Sequence, residues 1–326
     1  MLQDRYGRRF RYLRLSVTDV CNFRCTYCLP SGYQTPTGAV PDGFLEADEI
    51  AVIVAAFARL GTSKIRLTGG EPGLRTDLAE LIRICKNTDG IRTVAVTTNG
   101  YRLPRQIEDW HQAGLDRLNV SIDSLDRQEF ARITGHDKLP TILEGVDRAL
   151  ALGMQNIKIN AVLLRDGYAE RMQGFIRWLR EVPVTLRFIE LMQTGDNGVF
   201  FRDQHLRGQE MLTMLLEQGW QEVVRAQDAG PARELWHPDY AGRIGFIMPY
   251  SSDFCASCNR LRVSALGKLH LCLFADQGHD IRHWCRTGDI DGLMQHLQDL
   301  IGDKGESHLL QQQHTGATRH FAMIGG

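Results

Sequence analysis

Apolar positions along the chain fall into two alternating rhythms. Short β-branched runs read as strands: RYLRLSV (11–17), KIRLTGG (64–70), TVAVTTNG (93–100), RLNVSID (117–123), NIKINAVLL (156–164) and VTLRFIEL (184–191). A segment of helical period follows each. The clearest is FLEADEIAVIVAAFARLG (44–61), with an acidic first turn and Gly61 as its stop signal; a second helix begins near Asp77. This alternation argues for parallel strands joined by right-handed crossovers, and so for a barrel, a partial barrel or a doubly wound sheet. Polar residues of chemical interest gather at the C-terminal ends of the strands: Thr68, Gly69, Gly70 and Glu71; Thr97 and Asn99; Ser121 and Asp123; Glu190 and Met192. In parallel α/β architectures that edge carries the active site. After about residue 235 the rhythm changes. GRIGFIMPY (242–250) and LRVSALGKLHLCLF (261–274) read as antiparallel strands with a turn at Gly267, followed by a helical end and a Gln- and Gly-rich tail. The expected division is 1–235 and 236–326.

Composition narrows the classes. With 43% hydrophobic and 24% charged residues over 326 positions, the chain should bury a real core. The 38 basic and 39 acidic residues nearly cancel, which argues against a nucleic-acid or membrane surface and requires any anion site to be a local cluster. The opening MLQDRYGRRF lacks the apolar stretch of a secretion signal, and the longest apolar run, 50–58, is too short to cross a bilayer, so a cytosolic protein is expected. In that compartment the eight cysteines serve metals or catalysis before disulfides. Six of them form two clusters, while Cys85 and Cys285 stand alone as small buried hydrophobes.

The first cluster, Cys21-x3-Cys25-x2-Cys28, lies just after the first strand. Structural zinc and electron-transfer clusters usually take four protein ligands, whereas three thiolates leave a cubane with one open iron, which an amine and a carboxylate could fill. A zinc site completed by a distant His or by the other cysteines is the competing reading. Tyr27 directly before Cys28, together with GGEP (69–72) at the end of the second strand, resembles the radical S-adenosylmethionine (SAM) superfamily. The resemblance implies a [4Fe-4S] cluster on Cys21, Cys25 and Cys28, SAM on the fourth iron, and reductive cleavage of SAM to a 5′-deoxyadenosyl radical. It also places Tyr27, Gly70, Glu71, Ser121 and Met192 in the SAM pocket. Physically, the two glycines would let backbone carbonyls approach the SAM ammonium, and Glu71 would add an acceptor.

The second cluster, Cys255-x2-Cys258-x13-Cys272, again has three thiols. Zinc with His270 or His279 as fourth ligand competes with a second open iron-sulfur cluster; His270 is so near Cys272 that the two would crowd. For anions, Arg14, Lys64, Arg66, Lys158, Arg187, Arg260 and Arg262 lie on or near strands, with Lys64/Arg66 and Arg260/Arg262 each two apart and thus on one face. Inward basic residues are costly unless paired or occupied by an anion, so either a binding site or ion pairs with acids such as Asp19 or Asp123 is expected. No GxxxxGK[ST] loop is present, which disfavours P-loop hydrolysis.

Taken together, LRLSVTDVCNFRCTYC, IRLTGGEP, VTTNG, NVSID, IKINAV, RFIELM, FCASCNRLRVSALGKLHLCLF and the final IGG are similar to the MoaA family, the GTP 3′,8-cyclases of molybdenum cofactor biosynthesis. This implies an incomplete six-unit (β/α) barrel whose side is closed by a C-terminal antiparallel and helical segment. It further implies two [4Fe-4S] clusters, SAM, and conversion of GTP to its 3′,8-cyclised dihydro product by abstraction of the 3′ hydrogen. Arg14, Arg66, Thr97, Lys158 and the segment Asn259, Arg260, Leu261 and Arg262 match GTP-binding positions, as do Lys64 and Arg187, and Arg260 and Arg262 match catalytic ones. Gly325 and Gly326 match a double-glycine tail that reaches the active site, against a bland reading as a flexible terminus. Val20 and Gly73 depart from the usual pattern, where a basic and a larger apolar residue are common. Implied partners are an electron donor and, in the pathway, a pterin-forming synthase; a homodimer is one option for the assembly. The rivals are a radical SAM enzyme modifying a peptide and a non-catalytic metal or electron-carrier protein.

Overall fold

The expected strand-helix alternation is realised as one long, open sheet. The computed structural model describes residues 1–34, 43–224 and 230–325. Six parallel strands form its centre: β1 (Tyr12–Ser16), β2 (Lys64–Thr68), β3 (Thr93–Thr98), β4 (Arg117–Ser121), β5 (Ile157–Leu163) and β6 (Thr185–Glu190). The sequence accounts for this directly, because strands such as YLRLS are buried on both faces: Leu13 and Leu15 enter the apolar core while Arg14 turns the other way. Helices α1 (Ala47–Arg59), α2 (Leu78–Asn87), α3 (Leu103–Gln112), α4 (Arg127–Thr134), α5 (Leu139–Ala151) and α6 (Tyr168–Leu179) make the crossovers. Glu46 and Glu49 form a capping box that starts α1.

The C-terminal part extends both edges. Helices α7 (Gly198–Gln204) and α8 (Gln209–Glu217) lead to β7 (Gln221–Glu222), β8 (Arg233–Trp236) and β9 (Arg243–Ile247); then come β10 (Arg260–Val263), β11 (Lys268–His270), β12 (His279–Asp280), α9 (Arg282–Thr287) and α10 (Ile290–Ile301). The sheet order is β12-β11-β10-β1-β2-β3-β4-β5-β6-β9-β8-β7, so the barrel does not close. One expectation needs correction here. The strand in GRIGFIMPY is not part of a hairpin with 260–270: β9 runs parallel to β6 at one edge, and β10 runs parallel to β1 at the other. Each does have an antiparallel partner: the turn at Gly267, with φ +75°, joins β10 to β11, and β9 pairs antiparallel with β8 on its other side. The buried Arg282 guanidinium ties this segment to the barrel, donating to Glu49 at 2.8 and 3.0 Å and to the carbonyls of Gly43 and Phe44.

Candidate active site

The loop carrying the first three cysteines leaves β1 alongside the GGEP turn. Gly70 N–H donates to Thr18 O and Glu71 N–H to Val20 O, both at 2.8 Å. A Cβ on Gly69 would stand 2.2 Å from Thr18 O, and one on Gly70 would stand 2.3 Å from Val20 O. The glycines therefore serve a crossing of two backbones within the fold. Glu71 is likewise committed: its carboxylate accepts from Gly73 N–H at 2.7 Å, Thr98 Oγ1 at 2.6 Å and Asn99 N–H at 2.6 Å, and burial pushes it up to about 7. Asn99 Nδ2 donates onward to Asn22 Oδ1, so the end of β3 also steadies the cysteine loop.

Cys21, Cys25 and Cys28 are unpaired thiols. Cys28 N–H and Leu29 N–H both donate to Cys25 O, which winds the last two into a turn, and Arg24 N–H and Thr26 N–H bond the end of α4. Phe23 stacks on His136 at 4.9 Å and anchors the loop in the core. Burial pushes Cys21 up to about 11 and Cys28 up to about 12, and burial followed by the neighbouring Asp123, Cys28 and Cys21 charges raises Cys25 as well. Three half-buried thiols near enough to raise one another are a donor set for a positively charged iron centre, which would take the place of their protons. Among the described residues, no three His, Cys, Asp or Glu side chains converge on a point as a single ion would need; a cubane spaces its thiolates more widely. Tyr27 Oη donates to Asp123 Oδ2 at 2.9 Å, and Asp123 Oδ1 accepts Val162 N–H, so the aromatic residue before the third cysteine is fixed to the end of β4 near Ser121.

The second set, Cys255, Cys258 and Cys272, opens into a cavity of ≈ 320 Å³ enclosed by the sheet. Cys258 N–H donates to Cys255 O in a tight turn, and Cys272 lies two residues beyond β11. His270 and His279 are not at this cavity; the imidazole beside Cys255 is His308, whose Nε2 meets Pro249 O at 2.9 Å and whose Nδ1 accepts Leu310 N–H. The same imidazole also hydrogen-bonds the Cys255 side chain. Burial pushes Cys255 up, but His308 brings it down to about 7, and Arg260 and Lys304 lower Cys258 likewise against its burial. Arg8 holds the loop in place, donating to Cys255 O at 3.2 Å, Glu306 O and Gly305 O at 2.6 Å each, while pairing with Asp4 at 2.6 Å.

Strand register builds the remaining wall. Arg262 of β10, Arg14 of β1, Arg66 of β2, Ala95 of β3 and Arg117 of β4 are consecutive cross-strand neighbours, and Arg260, Tyr12 and Lys64 form the row beside them. Lys158 and Arg187 continue the basic lining on β5 and β6. Burial first, then the nearest like charges, lowers Arg14 and Arg66 to about 9 and Arg262 to about 10, so all stay charged at neutral pH. Burial would raise Tyr12, yet Arg66, Arg14, Lys64 and Arg260 together bring it down to about 7. Arg14 Nη2 and Arg262 Nη1 donate to Gly325 O at 2.7 and 2.6 Å, so the C-terminal tail reaches this wall; Gly326 lies outside the described residues. Arg260 stands over the Phe254 ring at 5.3 Å.

Of the residues expected at the anion site, Arg14, Lys64, Arg66, Lys158, Arg187, Arg260 and Arg262 line the cavity, as does Met192 of the SAM set. Thr97 shares their face by register with Asn119, though neither it nor Asn259 lines the cavity itself. Leu261 turns into the apolar core, because alternation along β10 sends its side chain away from Arg260 and Arg262. Asp123 accepts from Tyr27 and Val162, while Glu234 pairs with two of the lining cations, Lys158 at 3.0 Å and Arg187 at 2.5 Å. Sequence reading missed Tyr12, Arg117, Glu234, Lys304 and His308. Tyr12 and Arg117 are each two residues from a polar inward position, and that spacing could have found them; Glu234, Lys304 and His308 arrive from elements with no local signal. Arg66 Nε, Thr97 Oγ1 and Asn119 Oδ1 are buried without a hydrogen-bond partner, as polar atoms built for a polar ligand would be.

Two family models cover most of the chain: the radical SAM superfamily over residues 15–179 and Molybdenum Cofactor Synthesis C over 184–310. The GTP 3′,8-cyclase of Pectobacterium atrosepticum is 50% identical across 100% of this chain and 99% of its own length, and that of Aeromonas hydrophila is 51% identical across 100% and 96%. Among solved structures, Streptococcus suis SuiB bound to S-adenosylmethionine superposes with a TM-score of 0.58 at 14% identity, over 88% of this chain and 64% of SuiB, a likeness of fold alone. A [4Fe-4S] cluster and SAM follow from that superfamily, and the chain belongs to the radical SAM superfamily and, within it, to the family of the GTP 3′,8-cyclases.

Proposed function

We propose that the chain is a GTP 3′,8-cyclase that holds GTP in the ≈ 320 Å³ cavity between the second cysteine set and the basic strand rows. Cys21, Cys25 and Cys28 would hold the first cluster, which with SAM would supply a 5′-deoxyadenosyl radical to take the 3′ hydrogen of GTP; C3′ then bonds to C8, and one electron from the donor and one proton complete the dihydro product. The observation that carries this reading is a single cavity lined at once by three thiols and by arginines and lysines from β1, β2, β5, β6 and β10. Orientation is what these residues contribute. Arg66, Lys158 and Arg187 grip the triphosphate, with Arg14, Lys64 and Thr97 beside them, and low dielectric strengthens each contact. Arg260 and Arg262, next to the thiols of Cys258 and Cys272, act at the base and ribose end, where their guanidinium N–H groups can donate to developing charge. Cys255, Cys258 and Cys272 would hold the second [4Fe-4S] cluster, whose open iron would take the guanine edge. Gly70, Glu71, Tyr27, Ser121 and Met192 form the SAM side, Tyr27 being set by Asp123 and Glu71 acting through the loop it fixes. Anchoring the nucleotide at both ends would restrict C3′ to one orientation toward the SAM side.

Anaerobic reconstitution followed by incubation with GTP, SAM and a reductant tests the reading. Release of 5′-deoxyadenosine that depends on GTP, with a cyclised nucleotide triphosphate as product, is expected; SAM cleavage indifferent to GTP would reject it. An electron donor and a pterin-forming synthase are the partners this chemistry requires, and the eight unpaired cysteines suit a reducing cytosol.

A further inference from the structure

Among the described residues lining the cavity, ten are arginine or lysine and one is a carboxylate, Glu234. Its position is built into the sheet. Register aligns Glu234 of β8, Gly245 of β9 and Arg187 of β6 in one row. Gly245 has no side chain to separate the two, and a Cβ there would stand 3.1 Å from Glu234 Cγ. The carboxylate therefore lies across β9 and reaches both Arg187, at 2.5 and 3.2 Å, and Lys158, at 3.0 Å. All three side chains are mostly buried, at 14% exposure for Lys158, 7% for Arg187 and 19% for Glu234. Two cations meant for a triphosphate thus already share an anion that belongs to the protein.

We infer that Glu234 is a resident counter-anion and specificity residue of the nucleotide site: it holds Lys158 and Arg187 in place before the ligand arrives and competes with the phosphates for them. This rests on the nucleotide reading above and deepens it. An anion with several negative charges can take the two cations from a single carboxylate, and one with few cannot. Glu234 also repels whatever phosphate is bound, which keeps a product that retains all three phosphates from being held indefinitely. A positioning role alone would steady the cations but would not make affinity depend on phosphate number in this way.

Glu234→Gln keeps size and an acceptor oxygen while removing the charge. Binding of GMP, GDP, GTP and inorganic tripolyphosphate to the reconstituted wild type and variant is measured by calorimetry, and KM and kcat for GTP by product formation. The variant should bind GTP and tripolyphosphate about tenfold more tightly, GDP less so and GMP little changed, as expected for charges a few ångströms apart at intermediate dielectric. Both KM and kcat should fall as release slows. Gly245→Ala, which crowds the carboxylate away from Arg187, should move affinity in the same direction, and it decides the matter should Glu234→Gln fail to fold. Unchanged or weaker tripolyphosphate binding in the variants overturns the proposal, as does an equal loss for GMP, GDP and GTP, which would place Glu234 against the base. Wild-type protein that binds no GTP refutes the nucleotide reading instead, and tripolyphosphate then still judges the counter-anion.

Discussion

Substituting Gly70 by alanine tests how the first cysteine set is placed. The new Cβ would lie 2.3 Å from Val20 O and 2.5 Å from Asp19 O, all backbone atoms that no rotamer change can move. Ordinary carbon contacts begin near 3.5 Å, so the 18–20 segment must retreat by roughly 1 Å. That retreat strains two hydrogen bonds, Gly70 N–H to Thr18 O and Glu71 N–H to Val20 O. Overpacking of this kind costs about 1–3 kcal/mol, against a total stability of about 5–15 kcal/mol, so the variant should fold. Cys21 directly follows Val20 and must move with it. Anaerobic reconstitution should therefore give about four irons per chain in place of about eight, with the second set still filled, and the denaturant midpoint should fall. A helix glycine supplies the control: Gly174 in α6 has nothing within 4 Å of its would-be Cβ, and Gly174→Ala should stabilise by about 0.5–1 kcal/mol with full iron. Full iron and unchanged stability in Gly70→Ala would refute the claim that the crossing sets the loop.

Three further outcomes follow from the same geometry. Lys158 is lowered to about 8 by burial and then by Arg187, with Arg66 adding to this and Glu234 opposing it; its charge, and the GTP affinity it supplies, is present below that pH and is lost as pH rises through it, whereas Lys158→Arg should flatten the binding profile measured by calorimetry. The same depression means the folded state binds its proton less tightly than the unfolded one, so Lys158 should make unfolding stability rise between about 8 and its ordinary value. Arg8→Met removes the donors to Cys255 O, Gly305 O and Glu306 O and should selectively lower iron at the second set, read by iron content alongside intact SAM cleavage. Leu261→Ala should lose about 2–5 kcal/mol of stability in denaturant titration while KM for GTP stays put, because its side chain fills the core and not the cavity.

Much of this architecture is readable in the chain because strands such as YLRLS and KIRLT alternate an apolar face in the core with a polar face toward the cavity, and these short runs stand between helical periods. The edges are not readable in the same way. β7 and β12 have two residues each and β8 has four, too few for any period to register. For β9 the sequence marks a strand but not its partner, since pairing with β6 is decided by a crossover of more than fifty residues and by what else can cover the edge of the barrel. The GGEP glycines add a subtler case: their motif is legible, but their close contact with the backbone of 18–20 is one that only the fold brings there.

The charge pattern explains why a chain of net charge −1 can offer a polyanion site. Period two along one strand fixes which residues face inward; it cannot say which strands lie side by side. Register supplies that second dimension, setting Arg262, Arg14, Arg66 and Arg117 in one row on strands about 4.8 Å apart, with Ala95 as the single uncharged member. A basic lining of this kind repels itself in a buried setting, and among the described residues two contacts help to offset that repulsion: the Gly325 carbonyl meets Arg14 and Arg262, and Glu234 meets Lys158 and Arg187. Both offsets come from the C-terminal part of the chain, one meeting β1 and β10 and the other β5 and β6. The barrel strands thus supply the attraction for a triphosphate, and the segments that follow them determine how strongly it is felt, which is why neither half of the sequence read alone specifies the site.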